Sequence, residues 1–294
     1  AAFGVAFAVA IFAESPVIML MAASTALVED HQSYLALRRF AYGLAAALTL
    51  CMLIVLIPPI FEYLSGTLLR LDEDIAGLTH AGLVILIPWP AAIAYRRLRQ
   101  GLLIRRNLTR LVAFGTVIRL ATMSLTAVIA SRVPQLSGVV VATAALSAGV
   151  LVEALASRLM SRRIVSQLSR PEEGQTAKTP LTVGQIVTFY APLALTSLLA
   201  LAVQPLVTFF LGRSRLPRES LAVLPVIHGL TFIFRSAGVS YQEVGIALLG
   251  ERWEHYERLL RGCRLLMLDI PYSVDELCNI TVELVENNGH QQDI

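Results

Sequence analysis

At 294 residues, 56% of them hydrophobic and only 15% charged, the chain lacks the polar surface of a soluble domain, where about 25% charge is usual. Its net charge of +3 comes from basic residues gathered in short stretches between apolar runs, a layout that suits membrane topology and argues against a nucleic-acid partner. Cys51, Cys263 and Cys278 have no ligand spacing, and Cys51 lies inside an apolar run, so neither a zinc site nor a disulfide framework is indicated.

The chain opens Ala1-Ala2-Phe3-Gly4, with no basic flank before the apolar stretch, which is unlike a secretory signal peptide. The N-terminus reads as incomplete. With about 20 apolar residues needed to cross the hydrocarbon core, spans are expected near 3–27, 41–64, 77–95, 111–131, 136–157, 186–211 and 221–249. All are read as helices, because unpaired backbone in lipid is too costly and no ten-residue alternating segments suggest a barrel. The fold class is therefore all-α, a polytopic membrane bundle of about seven transmembrane helices with the lipid bilayer as its partner. Within the third span lie Pro88 and Pro90, and Tyr95-Arg96-Arg97 follows as an interface anchor. The connection at 96–110 carries Arg96, Arg97, Arg99, Arg105, Arg106 and Arg110 and is expected on the cytoplasmic side, as are 158–185 and the stretch after the last span. Between them, 65–76 holds Asp72, Glu73 and Asp74 against Arg70, as an external loop should. Arg213, Arg215 and Arg218 at 212–220 dissent from that alternation.

A repeat organises the chain further. At an offset of 222 residues, Glu29, Tyr34, Leu37 and Arg39 recur as Glu251, Tyr256, Leu259 and Arg261, each set following a span. Six spans separate the copies, so both have the same orientation, as in transporters built from parallel repeats. This gives a two-lobe architecture. Residues 1–157 form an N-terminal bundle of five spans lacking its first helix, and 158–185 a cytoplasmic linker. Residues 186–264 start a second bundle of two spans, which is truncated, and 265–294 form an atypical acidic tail. Asp269, Asp275, Glu276, Glu283 and Glu286 keep that tail from spanning, although Ser273-Val274-Asp275-Glu276-Leu277 could start a short capped helix.

Two segments carry a resemblance to a known family. Tyr95–Arg110 (Tyr-Arg-Arg-Leu-Arg-Gln-Gly-Leu-Leu-Ile-Arg-Arg-Asn-Leu-Thr-Arg) is similar to the basic, glycine-containing link between the fourth and fifth helices of the multidrug and toxic-compound extrusion (MATE) transporters, in the wider flippase-type superfamily. Ala191-Pro192-Leu193-Ala194-Leu195, ending in Leu211-Gly212-Arg213, resembles the opening of that family's seventh helix. Within the superfamily, Pro205-Leu206-Val207 with Phe210 looks closest to the progressive ankylosis type. The resemblance covers roughly residues 1–264. It implies a secondary active antiporter, coupled to H+ or Na+, that exports a small organic compound or drug from a cavity between two bundles. The alternatives are an exporter of organic anions or pyrophosphate, and a non-transporting membrane scaffold or decayed fragment. A bacterial inner membrane is the implied location.

Several residues could carry the chemistry. Glu14, followed by Ser15 and Pro16, lies near the middle of the first span, where a carboxylate is expensive unless it faces a cavity or a partner. It is either a coupling-ion site or a water-facing residue at a kink. In the last span His228, Arg235 and Gln242 recur at spacing seven, on one helical stripe, with Glu243 close by. Arg235 would hold an anionic substrate or form a structural ion pair with Glu14 or Glu243. Gln204 precedes Pro205, which opens the helical ladder and frees carbonyls for gating or ion contact. Arg119 reads as a snorkelling anchor, and Trp89 and Tyr95 as interface aromatics. His31, His80, His255 and His290 are scattered, and no G-x-S-x-G, H-E-x-x-H or P-loop pattern occurs, so the chain is not read as an enzyme and no catalytic residue, resident metal or cofactor is assigned.

Overall fold

The structure is a computed structural model. It describes residues 1–168 and 181–248, together with 272–273, 275–277, 279–280 and 283; in the helix after residue 217, the side chains of 232, 235, 237 and 239–248 are not described. The described residues are nearly all helical and contain no strand. In chain order the helices are α1 (Ala2–Ile18), α2 (Leu20–Leu27), α3 (His31–Val55), α4 (Pro58–Glu62), a π-helical turn Tyr63–Leu68, α5 (Glu73–Leu86), α6 (Trp89–Arg105), α7 (Thr109–Ser131), α8 (Gly138–Leu168), α9 (Val183–Leu211) and α10 (Pro217–Leu248). Two compact units divide the chain, Ala1–Ile227 and His228–Ile294.

Among the described residues, six segments are long and apolar enough to cross a membrane: Ala2–Leu27, His31–Val55, Glu73–Arg105, Thr109–Ser131, Gly138–Leu168 and Val183–Leu211. The seventh expected span, 221–249, falls on α10. In the first unit apolar side chains cover the outside as well as filling the core, and a set of polar side chains is buried among them. Phe114, Leu120, Leu125, Val128 and Ile129 on α7 point outward, while Glu14, Ser15, Ser24, Arg96, Gln100, Thr143, Glu153, Ser157 and Ser161 are buried. Exposed apolar faces, with the polar and charged groups kept inside, are what a lipid solvent selects.

Two of the six spans are broken in the middle. In α1, Pro16 has no N–H to give to Phe12, and the Ser15 hydroxyl donates to that carbonyl instead at 2.8 Å. The chain turns at Met19 and restarts as α2. The second break lies at Ile87-Pro88, between α5 and α6. Helix starts follow local chemistry as well: Asp30 and Ser33 form a capping box that opens α3 ten residues before the apolar run at 41, and Thr182 and Gln185 do the same for α9.

The broken spans pack against each other through small residues. Gly101 on α6 lies so close to α2 that a Cβ there would stand 2.5 Å from the Met21 carbonyl oxygen, and the neighbouring Ser24 hydroxyl donates to the Leu98 carbonyl at 2.7 Å. Arg105 closes the end of α2 by donating to the carbonyls of Thr25 and Ala26, at 2.8 and 3.1 Å. α9 covers the broken side of α1, and its Tyr190 and Ser197 hydroxyls donate to the carbonyls of Pro16 and Ser15. These are two of the acceptors that a helix end leaves without an intrahelical donor.

Two expectations change here. The stretch at 96–110 is not a loop: α6 runs through Arg105, and Arg96, Leu98, Gln100, Leu102 and Leu103 are buried. Counting charge ended the span too early, because a paired arginine can continue a membrane helix. Trp89 is not at an interface either, since it is buried beside the α5–α6 break with its ring edge-on to Phe7 at 6.1 Å. The dissenting arginines find partners at the end they share with 65–76. Arg213 donates to the Leu68 carbonyl at 2.7 Å, and Arg218 pairs with Asp72 at 2.5 Å. The linker 158–185 begins as helix, with α8 continuing to Leu168 and α9 starting at Val183. In the second unit, Ser273 and Glu276 form a capping box at the segment where a capped helix start is expected, each accepting from the other's backbone N–H. The second copy of the repeat, Glu251 to Arg261, lies outside the described residues.

Candidate functional site

Three spans bring a charged residue to their centres, and the fold brings those centres together. Glu14 is central in Ala2–Leu27, Glu153 in Gly138–Leu168, and Arg119 lies one residue from the centre of Thr109–Ser131. Arg96 joins them from α6. Its guanidinium forms a buried ion pair with Glu153, whose other carboxylate oxygen accepts from Gln100 Nε2 at 3.1 Å. Arg96 and Gln100 stand four residues apart, on one face of α6. From α7, Arg119 Nε approaches Glu153 Oε2 at 3.6 Å.

Glycines make the room. Gly115 lies one helical turn before Arg119, and a Cβ there would stand 3.7 Å from the Glu153 carboxylate. Gly149 lies one turn before Glu153, and a Cβ there would stand 3.2 Å from the Arg119 carbonyl oxygen and 2.4 Å from Met123 Cγ. α7 and α8 therefore approach closely where the ion pair forms. Two turns further along α8, the Ser161 hydroxyl accepts from Arg99 at 2.8 Å, a further tie between α6 and α8.

Glu14 completes the cluster differently. It is buried, and the positive charges acting on it are those of Arg96, Arg97 and Arg119. Its Oε2 has no hydrogen-bond partner among the described residues. Glu153 is thus held by three side chains, while Glu14 shares their field and keeps an oxygen open. Arg96 and Arg119 thus act on both carboxylates, and Arg97 acts on Glu14. No group of three or more His, Cys, Asp or Glu side chains suited to a metal occurs among the described residues.

No family model, no curated protein and no solved structure matches the chain. The site is accordingly read from its own chemistry.

Of the residues singled out from the sequence, Glu14 lies in this cluster. Gln204 is buried on α9 in the stripe Tyr190, Ser197, Gln204, whose first two members bond α1. His228 is half-buried on α10 in the second unit, and the side chains of Arg235, Gln242 and Glu243 lie outside the described residues. Sequence reasoning missed Glu153, Arg96 and Gln100, and took Arg119 for an anchor. A usable signal was present for the first of these: Glu153 is the sole charge between Gly138 and Ser157, the same anomaly that marked Glu14.

Proposed function

We propose that the chain is a secondary active membrane transporter, a cation-coupled antiporter that exports a small organic compound, with Glu14 carrying the coupling proton. The observation that carries this reading is a buried mid-span carboxylate with an open oxygen beside three guanidinium groups. An ionisable group at that depth is costly and marks an ion or substrate pathway. A proton suits the site better than Na+. Three arginine charges repel a free cation, whereas a proton bonds covalently to Oε2 and needs no shell of oxygen ligands.

Protonation would remove one of the two carboxylate charges that Arg96 and Arg119 face. That change in field at the bundle centre acts on α1, α6 and α7, and two of the spans concerned are already broken near their middles. The basic end, with Arg105, Arg106, Arg162 and Arg163, faces the cytoplasm of a bacterial inner membrane in this proposal.

A second reading, export of an organic anion or pyrophosphate, draws on the guanidinium groups of Arg96 and Arg119 gathered at the centre of the spans. Proteoliposomes containing the full chain test both. A pH gradient should drive efflux of a fluorescent organic cation, and Glu14→Gln should abolish proton-linked flux while the protein level in the membrane stays unchanged. Flux of Glu14→Gln equal to that of the unmodified chain would sink the coupling role. Pyrophosphate flux in place of cation flux selects the second reading, and absence of flux under both proton and sodium gradients returns the scaffold reading.

A further inference from the structure

A cleft of about 540 Å³ opens on the outer side of α3 and α6, away from the charged cluster, lined by Tyr42, Ala45, Ala46, Thr49, Leu53 and Tyr95 among others. Its walls are apolar. The Thr49 hydroxyl is engaged with the Ala45 carbonyl at 2.9 Å, which leaves the floor of the cleft without a free donor. From Tyr42 to Leu53 the cleft runs about 16 Å along α3 at 1.5 Å per residue, close to the roughly 15 Å thickness of one hydrocarbon leaflet.

The mouth of the cleft has the opposite character. Tyr42 and Tyr95 stack there, with ring centroids 6.4 Å apart and planes 14° from parallel. The Arg99 guanidinium lies 4.5 Å over the Tyr95 ring, and Arg38, one turn before Tyr42, lies over Tyr34 at 5.5 Å. Both arginine charges act on the Tyr42 hydroxyl. Among the described residues neither arginine has a carboxylate partner, and the Arg99 hydrogen bond goes to the neutral Ser161. Arg38 is about 10 Å in from the start of α3, near enough to the basic end for its side chain to reach the headgroup level.

We propose that this cleft binds one anionic phospholipid, its phosphate held between Arg38 and Arg99 and one acyl chain laid along Ala45, Ala46, Thr49 and Leu53. The cleft matches an alkyl chain in length and dryness, and two uncompensated cations at its mouth match a phosphate in charge. This assignment is independent of the transport reading.

The test uses the full chain purified from nanodiscs holding equal phosphatidylglycerol and phosphatidylcholine, with retained lipid counted by mass spectrometry after detergent washing. The unmodified chain should keep about one phosphatidylglycerol per molecule and little phosphatidylcholine. Arg38→Gln with Arg99→Gln should lose the preference for the anionic lipid by about tenfold, and Ala46→Trp, which fills the exposed cleft, should lose retained lipid of both kinds. Arg162→Gln with Arg163→Gln, which removes exposed charge elsewhere on the basic end, should change nothing, and size-exclusion profiles monitor folding in every case. Equal retention of both lipids by the unmodified chain overturns the proposal. So does phosphatidylglycerol retention in folded Ala46→Trp, or its loss in the Arg162/Arg163 control to the same degree as in the Arg38/Arg99 variant.

Discussion

Glu14 and Glu153 are the same residue type near the centres of two spans of one helix bundle, yet their surroundings differ. Glu153 receives Arg96, Gln100 and Arg119 and leaves little capacity for anything else. Glu14 lies in the field of the same arginines with an oxygen unbonded among the described residues. The comparison teaches that mid-membrane charge is not one category: a saturated carboxylate fixes helix register, while an open one is available for exchange with a proton or substrate.

The sharpest way to break the comparison is to neutralise each carboxylate in turn. Glu153→Gln should lower stability by about 3–5 kcal/mol, since it leaves the buried Arg96 guanidinium, and the half-buried Arg119 beside it, without the Glu153 counter-charge; Glu14→Gln should cost less than about 1 kcal/mol. Thermal unfolding in detergent measures both, and equal losses would dissolve the distinction. Gly101→Ala comes next. Its Cβ would meet the Met21 backbone oxygen at 2.5 Å, forcing α2 from α6 at a cost of about 1–3 kcal/mol. The same melting assay reads it, and an unchanged midpoint would show that the two broken spans do not need their close contact. Tyr190→Phe removes the donor to the Pro16 carbonyl and should cost about 1 kcal/mol, with faster hydrogen exchange in the turn that holds Glu14. A variant with unaltered exchange there would uncouple α9 from that site.

The smallest effect supplies a control carboxylate in water. The Ser273 backbone N–H and hydroxyl both donate to Glu276 and hold its pKa below the ordinary 4.5. This cap therefore contributes fully above the unfolded value and is lost as pH falls through the lower folded value. An NMR titration of Glu276 should give a midpoint below 4.5, and Ser273→Ala, which removes the hydroxyl donor but keeps the backbone N–H, should raise that midpoint only part of the way back.

Hydropathy was enough to place six of the seven expected spans, although the second runs over His31–Val55 rather than 41–64, because apolar length is a property of the chain alone. It failed where charge is compensated by a residue distant in sequence. Arg96 ended the third expected span, yet its partner Glu153 lies 57 positions away, and no local pattern announces that pairing. Arg119 passed for an anchor for the same reason. Glu14 was legible because a lone carboxylate in an apolar run is anomalous by itself. Gly101, Gly115 and Gly149 were not, since a glycine's value here lies in what approaches it from another helix. The start of α3 was written in Asp30 and Ser33, outside the apolar run that hydropathy scores.

The hydroxyls that seal α1 also set an order of events during synthesis. Tyr190 lies 174 residues after Pro16, so at about 5–20 residues per second the ribosome needs roughly 10–35 s to deliver it once the proline has been made. Through that interval the carbonyls of Ser15 and Pro16 lack the donors they have in the finished fold, in a solvent that offers few others. The break in α1 is thus a joint left open in the nascent chain and closed only when α9 arrives.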